Sequence, residues 1–530
     1  MSESNSVVVV GAGLAGLYAA KLLQPQFKDV LVLEATNRPG GRVRQVAGAA
    51  PWPVEAGPQF IHGANSSLKE MLDEMQCGIQ QYDWPDWWYF GKERRFMRAP
   101  AEDQDLNRTH ELFADVGNEK YPETDISAEQ WLRNKGASSK VLAIADACYA
   151  NDFGCTLHQL GLREMITENR KWDSGEDYLV LDCPLSDLVK HIAKDLNRQI
   201  HCNCPVSRIE HDSNGALIRL YGGRQIRCKH VLVTVPITVL QREEITFVPP
   251  LPQLKQQAIQ RVKMSNAIKV IMMFAQPFWP EGFFDVVCTD SFIPEFWVTP
   301  PPTYSHQHEK QPDSCRDASQ SSASRCGPQA GSSQQAAAQD AGTEARQEHK
   351  QNLQQGQTLQ PQQQQSWQQP QVQQHDSQQQ QHDTQQQQQQ EAVYCMVGFV
   401  AGSKAEEISK LRQNSVVIKT LSQLDDMFSG VDTTGTKQQL HPATSAFLHA
   451  HIVDWSREKH IYGAYTYPTL HAQVGDRDVL AEAIGTTVFF AGEATHAAIN
   501  PCMQAAMETG SRAAAQILSV QKTVSGVSRL

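Results

Sequence analysis

Two side chains in this sequence stand where apolar neighbours make their chemistry conspicuous. Lys269 lies inside AIKVIMMF, a run that suits a buried strand, and an ammonium there is costly unless it has a partner or faces outward. His62 closes VEAGPQFIHG between an apolar pair and Gly63. A neutral imidazole can accept a hydrogen bond and a protonated one repels a cation, so His62 is either a group that places a substrate or a hydrogen-bonded loop residue.

A third stretch points to a nucleotide. VVVVGAGLAGLYAAKLL sets Gly11, Gly13 and Gly16, with Ala12, Leu14 and Ala15 between them, directly after a strand and at the start of an apolar-periodic helix. Such glycines allow a tight turn, close approach to a pyrophosphate and close helix packing, and the helix N-terminus favours negative charge. The next strand, VLVLE, ends in Glu34, about twenty residues on, where an acid can accept hydrogen bonds from ribose hydroxyls. NAD and FAD share this pattern. RPGGRVR, residues 38–44, follows at once, and there Gly41 lets backbone approach a ligand while Arg42 can neutralise phosphate. Taken alone, that piece also reads as a surface turn.

The elements that would position these groups read as α/β. Apolar, β-branched runs at 7–10, 30–33, 231–235 and 488–491 suit strands of one parallel sheet built from the start, middle and end of the chain. Residues 127–169 and 184–196 read as helical. Residues 267–274 and 392–400 read as strands of a second sheet, interrupted by a Gln-rich stretch at 304–391 that is too polar to order itself. A folded domain tolerates such an insertion because loop-closure entropy grows slowly with length.

Composition narrows the function. The 530 residues are 40% hydrophobic, enough for sizeable cores, and the net charge of −11 argues against nucleic acid and against an anionic membrane surface. No apolar run is long enough for a transmembrane helix, and the N-terminus lacks the basic and apolar regions of a signal peptide, so the chain reads as soluble. Twelve scattered cysteines without Cys-x-x-Cys suggest no metal site and reduced thiols. The last residues, Ser528-Arg529-Leu530, differ from the peroxisomal address Ser-Lys-Leu by one basic residue for another.

At this point the sequence resembles the flavin-containing amine oxidases, which include polyamine oxidases, monoamine oxidases and flavin-dependent histone demethylases. The matching blocks are GAGLAGLYAA with LEATNRPGGRVR, VEAGPQFIHG, NAIKVIMMFAQPFWPEG and FFAGEATHAAINPCMQAAMETGSRAAAQIL. The resemblance implies a monoamine oxidase-like fold, with a GR2-type Rossmann-like FAD-binding domain (1–80, 195–262, 440–520) interleaved with an α+β substrate-binding domain (81–194, 263–303, 392–439). A disordered insertion (304–391) and a flexible tail (521–530) complete the chain. It implies that FAD meets Gly11 to Gly16, Glu34, Gly41 and Arg42, that the backbone of Val206 meets the adenine, and that Gly492 and Glu493 lie near the ribityl and pyrophosphate. Met503 then begins a helix aimed at the flavin, and Gly57 permits close approach to its ring. Lys269 would sit beside flavin N5, His62 would face the substrate channel, and Tyr465 would form one wall of an aromatic sandwich or else a core tyrosine. Cys502 replaces the second aromatic wall. Ala464 stands where monoamine oxidases bind FAD covalently, so FAD is expected to be noncovalent.

The resemblance further implies hydride transfer from the carbon next to an amine to flavin N5, hydrolysis of the imine to an aldehyde and a shorter amine, and reoxidation by oxygen to give hydrogen peroxide. Polyamine oxidases match best. Spermine, spermidine or an acetylated form is the expected substrate, and a peroxisomal location, reached through the import receptor, suits a peroxide producer, with the cytoplasm as the alternative. An L-amino-acid oxidase would need a cation for the substrate carboxylate, for which Arg94, Arg95 or Arg98 could serve. A histone demethylase-like protein, or a flavoprotein acting chiefly through its Gln-rich segment, are the remaining readings.

Overall fold

The computed structural model describes residues 4–300, 393–429, 440–498 and 502–527, apart from Asp83, Pro100, Ala101, Glu176 and Asn197. The Gln-rich insertion and Ser528-Arg529-Leu530 lie outside the described residues. Residues 1–303 and 391–530 group as one compact unit.

The apolar runs converge on one sheet because each is too hydrophobic to face water on either side. Ser4–Val10 pairs in parallel with Val30–Leu33 and with Gln225–Val233, which in turn pairs in parallel with Val488–Phe490. The middle strand begins well before residue 231. QIRCKH alternates exposed and buried residues, so its first half has one wet face and continues as an antiparallel meander with Gly215–Leu220 and Val206–Asp212. Helix Leu14–Leu23 covers this sheet, its buried face running through Leu14, Leu17, Ala20 and Leu23.

The second sheet runs Phe447–Asp454, Ala267–Phe274, Tyr394–Ala401, Glu295–Thr299, Asp285–Thr289, Trp87–Phe90 and Arg95–Arg98. All eight residues of Ala267–Phe274 are buried, because strands on both sides and cores on both faces enclose it. Glu295–Thr299 and Tyr394–Ala401 are antiparallel neighbours with Thr299 opposite Cys395, so the insertion departs and returns at one end of a strand pair. Helices Ala128–Asn134 and Ser139–Ala145, each capped by a serine hydroxyl, lead into a widened helical turn at Asp146–Ala150.

A third sheet joins Phe60–His62, Tyr178–Leu181 and Ile79–Gln81. It corrects the expectation of reduced thiols. Ile79 is opposite Leu181, and continuing that register by two residues brings Cys77 opposite Cys183, where they form a disulfide with Cα atoms 5.8 Å apart. Their separation of 106 residues hides the pairing from any local pattern. No helix among the described residues is long and apolar enough to cross a membrane.

Candidate active site

The nucleotide end is assembled from five remote segments. The Ala12 amide donates to Glu34 Oε2 at 2.8 Å, and Thr36 donates from its amide and hydroxyl to Oε1 at 2.9 and 2.8 Å. These bonds fix the carboxylate beside the glycine turn. The Cys204 amide donates to the Glu34 carbonyl at 2.8 Å, which brings the start of Val206–Asp212 alongside. Above Gly13 there is open space where a side chain would stand, at the N-terminus of Leu14–Leu23. Arg42 Nη1 donates to Glu493 Oε1 at 2.9 Å and to the Ala464 carbonyl at 2.8 Å, while the Thr466 hydroxyl holds Glu493 Oε2. A small pocket adjoins these groups, lined by Arg42, Thr234, Pro236, Lys255, Gly492 and Glu493 among others.

Gly41 packs against Gly13, and Met503 begins the helix Met503–Val527. At Gly57 the structure shows a close packing contact. A Cβ there would lie 1.9 Å from the Arg42 carbonyl oxygen, so the glycine lets this loop press against the arginine loop. An open helix N-terminus, a nearby arginine cation and a carboxylate at the strand end suit the pyrophosphate and ribose of FAD. Ala464 offers no nucleophile for a covalent link.

Lys269 faces inward, with 5% of its surface exposed. Its ammonium donates to the Glu55 main-chain carbonyl at 3.2 Å and lies 5.0 Å from the centre of the Trp297 ring. Burial pushes it down to about 8, and the charges of Glu55 and Glu295 act in the opposite sense. The Glu55 carboxyl is itself raised by burial and accepts from the Leu185 amide at 3.0 Å, at the start of helix Leu185–Ala193.

Beyond Lys269 the walls are aromatic and acidic. His62 stands opposite Tyr178 in its strand pair, ring to ring at 5.3 Å, and Tyr178 stacks on Trp84 at 5.5 Å. Trp84 Nε1 and Asn151 Nδ2 each donate to the Glu295 carboxyl at 3.3 Å. Burial first, then the neighbouring Asp152, pushes Glu295 up to about 8. Asp152 is raised by burial and lowered by His62, and the Tyr465 hydroxyl donates to its carbonyl at 3.3 Å. The structure thus links Lys269, His62 and Tyr465 through one cluster of neighbouring groups, with two carboxylates, Glu295 and Asp152, that the sequence did not single out. Arg94, Arg95 and Arg98 are committed elsewhere, to Asp426, Asp103 and Asp86.

The family profile described as flavin containing amine oxidoreductase matches residues 14–308 and 347–518. The chain is 23% identical to amine oxidase [flavin-containing] B of Sus scrofa over 98% of its own length and 87% of that protein. It is 26% identical to lysine-specific histone demethylase 1 homolog 1 of Arabidopsis thaliana over 98% of its length, but spans only 53% of that protein. Among solved structures, wild-type putrescine oxidase bound to putrescine superposes with a TM-score of 0.68 at 17% identity, covering 97% of this chain and 99% of that one. That likeness is one of fold.

Proposed function

Because the chain belongs to the flavin-containing amine oxidoreductase family, we propose that it oxidises a polyamine such as spermine or spermidine with noncovalent FAD, releasing an aldehyde, a shorter amine and hydrogen peroxide. The observation that carries this reading is the cluster of the Lys269 strand, Trp84, Tyr178 and Tyr465, beside which Asp152 offers an acceptor to amines. FAD, when bound, supplies the acceptor for a hydride from the carbon next to the amine, with oxygen as the final acceptor.

The protein's own share is placement and charge. The reacting amine must be neutral, since a protonated nitrogen has no lone pair to support the departing hydride. Lys269 remains largely cationic at neutral pH and favours negative charge developing nearby. The ring of Tyr465 forms a flat wall for the amine, and His62 stands at the cluster's side as the group that tunes amine placement.

An L-amino-acid oxidase reading is less favoured, because Arg94, Arg95 and Arg98, the arginines considered for a substrate carboxylate, are each paired with an acid. The chain spans about half the length of the Arabidopsis thaliana histone demethylase homolog that it matches. The C-terminal Ser528-Arg529-Leu530 supports import into peroxisomes, to be read by locating a fluorescent fusion with and without the tripeptide. The central test is peroxide release by the FAD-loaded protein against polyamines, acetylated polyamines, simple monoamines and amino acids. Release with polyamines is expected, and silence with all of them from protein that holds FAD refutes the reading.

A further inference from the structure

Asn151 and Asp152 follow the widened turn Asp146–Ala150, and their backbone is held from several sides. Gly154 and Cys155 amides donate back to the carbonyls of Asn151 and Ala150 at 2.9 and 2.8 Å. The Asn151 side chain bridges two strands of the second sheet, donating to Glu295 and accepting from the Ala401 amide at 3.1 Å. Gly154 has φ +81°, and a Cβ there would fall 2.1 Å from Tyr465 Cε2, so the turn lies flush beneath that ring.

This rigid mounting leaves one group free. The Asp152 side chain is accessible although the residue lies deep among protein atoms, which means that it faces open space inside the fold. Its carboxylate accepts no hydrogen bond and makes no ion pair with a described residue; His62 is the nearby group that favours its charge, and Glu295, Tyr178 and Tyr465 are among the titratable groups that its charge acts on. Behind it, Glu295 is occupied by two neutral donors, and Lys269 is turned to the Glu55 carbonyl. A carboxylate fixed in place, deep, unpaired and flanked by Tyr465 is suited to a cation brought from outside.

We propose that Asp152 is the seat for the ammonium group of the substrate that does not react, so that this residue selects diamines and polyamines over monoamines. The inference deepens the amine-oxidase reading and rests on it for the identity of the ligand. The distal ammonium forms a charge-assisted hydrogen bond to the carboxylate while the other end of the chain reaches toward Lys269. A monoamine leaves the seat unfilled.

The test is calorimetric titration of the FAD-loaded full-length protein, its flavin reduced beforehand with dithionite and kept under nitrogen at pH 6, where amines stay protonated and the reduced flavin takes no hydride, so that binding is read without chemistry. The probes are 1,4-diaminobutane, spermidine and 1-butylamine, against wild type, Asp152→Asn and Asp152→Glu. Wild type is expected to prefer the diamine, and Asp152→Asn to lose roughly tenfold or more of that preference, with Asp152→Glu recovering part of it and all three holding equal FAD. Equal diamine affinity in wild type and Asp152→Asn overturns the proposal, as does a wild type that binds butylamine as tightly as the diamine. Loss of preference in Asp152→Asn, in a protein that releases no peroxide from any amine, leaves the seat standing and removes the oxidase reading instead.

Discussion

Lys269 gives its hydrogen bond to the main-chain carbonyl of Glu55 and not to the Glu55 carboxylate, which accepts from the amide that opens helix Leu185–Ala193. The ammonium is thereby held by a neutral acceptor and an aromatic face, Trp297, with no direct ion pair among the described residues. A cation kept this way is costly to the fold and useful to a site.

The cost has a sign that can be measured. Lys269 is depressed from 10.5 to about 8 in the folded state, so the unfolded chain binds the proton more tightly. Stability therefore rises with pH between about 8 and 10.5, and below that window the buried charge costs up to about 3 kcal/mol. Lys269→Met is expected to raise the melting temperature of FAD-free protein at pH 7, with the gain shrinking as pH approaches 10.5. Its turnover should fall roughly a hundredfold, because the charge near the reacting atoms is gone. A variant that melts lower at pH 7 than wild type would contradict this account.

His62 contributes its main-chain carbonyl to a 2.7 Å bond from Gln504 and its ring to the cluster. His62→Ala keeps the first and removes the second. The expected result is full FAD content, an amine KM raised about tenfold and a shifted pH profile of kcat/KM, since the ring no longer acts on Asp152. An unchanged profile would leave His62 as a hydrogen-bonded strand residue.

Lys269 and Glu295 carry the same kind of signal in the sequence, a charged residue within an apolar strand run, AIKVIMMF and IPEFWVT. Only the first stood out, because eight residues of uniform hydrophobicity mark a strand and five after a proline do not. The glycine turn, Glu34 and Arg42 were legible because their spacing is local and their chemistry follows from it. Asp152 was not, since its meaning lies in what surrounds it: a turn packed under Tyr465 and a side chain left without a partner. The antiparallel meander was hidden by alternation, which reads as a surface strand with no indication of its neighbour. The disulfide was hidden by register, which no sequence interval encodes.

Gly57 separates packing from ligand contact. With its Cβ position 1.9 Å from the Arg42 carbonyl oxygen, Gly57→Ala must displace the 38–44 loop, and Arg42 then loses its grip on Glu493 and Ala464. Gly57→Ala is expected to retain less FAD after gel filtration, and added FAD should restore turnover. Protein purified with wild-type FAD content and melting temperature would show that the loop yields without consequence.

The Cys77–Cys183 bond closes a loop of 106 residues that contains His62's partner Tyr178, Trp84 and the Asp152 turn. Cross-linking so long a loop restricts the unfolded chain, and removing such a bond costs about 2–5 kcal/mol. Cys77→Ser with Cys183→Ser, or treatment with dithiothreitol, is expected to lower the melting temperature by several degrees. The glycine turn, Glu34 and Arg42 lie outside the closed loop, so FAD affinity should change far less than amine KM, which reports on the cluster inside it. Mass spectrometry of the alkylated, unreduced protein checks the bond directly. Two alkylated thiols at these positions, with no change in melting on reduction, would refute the pairing.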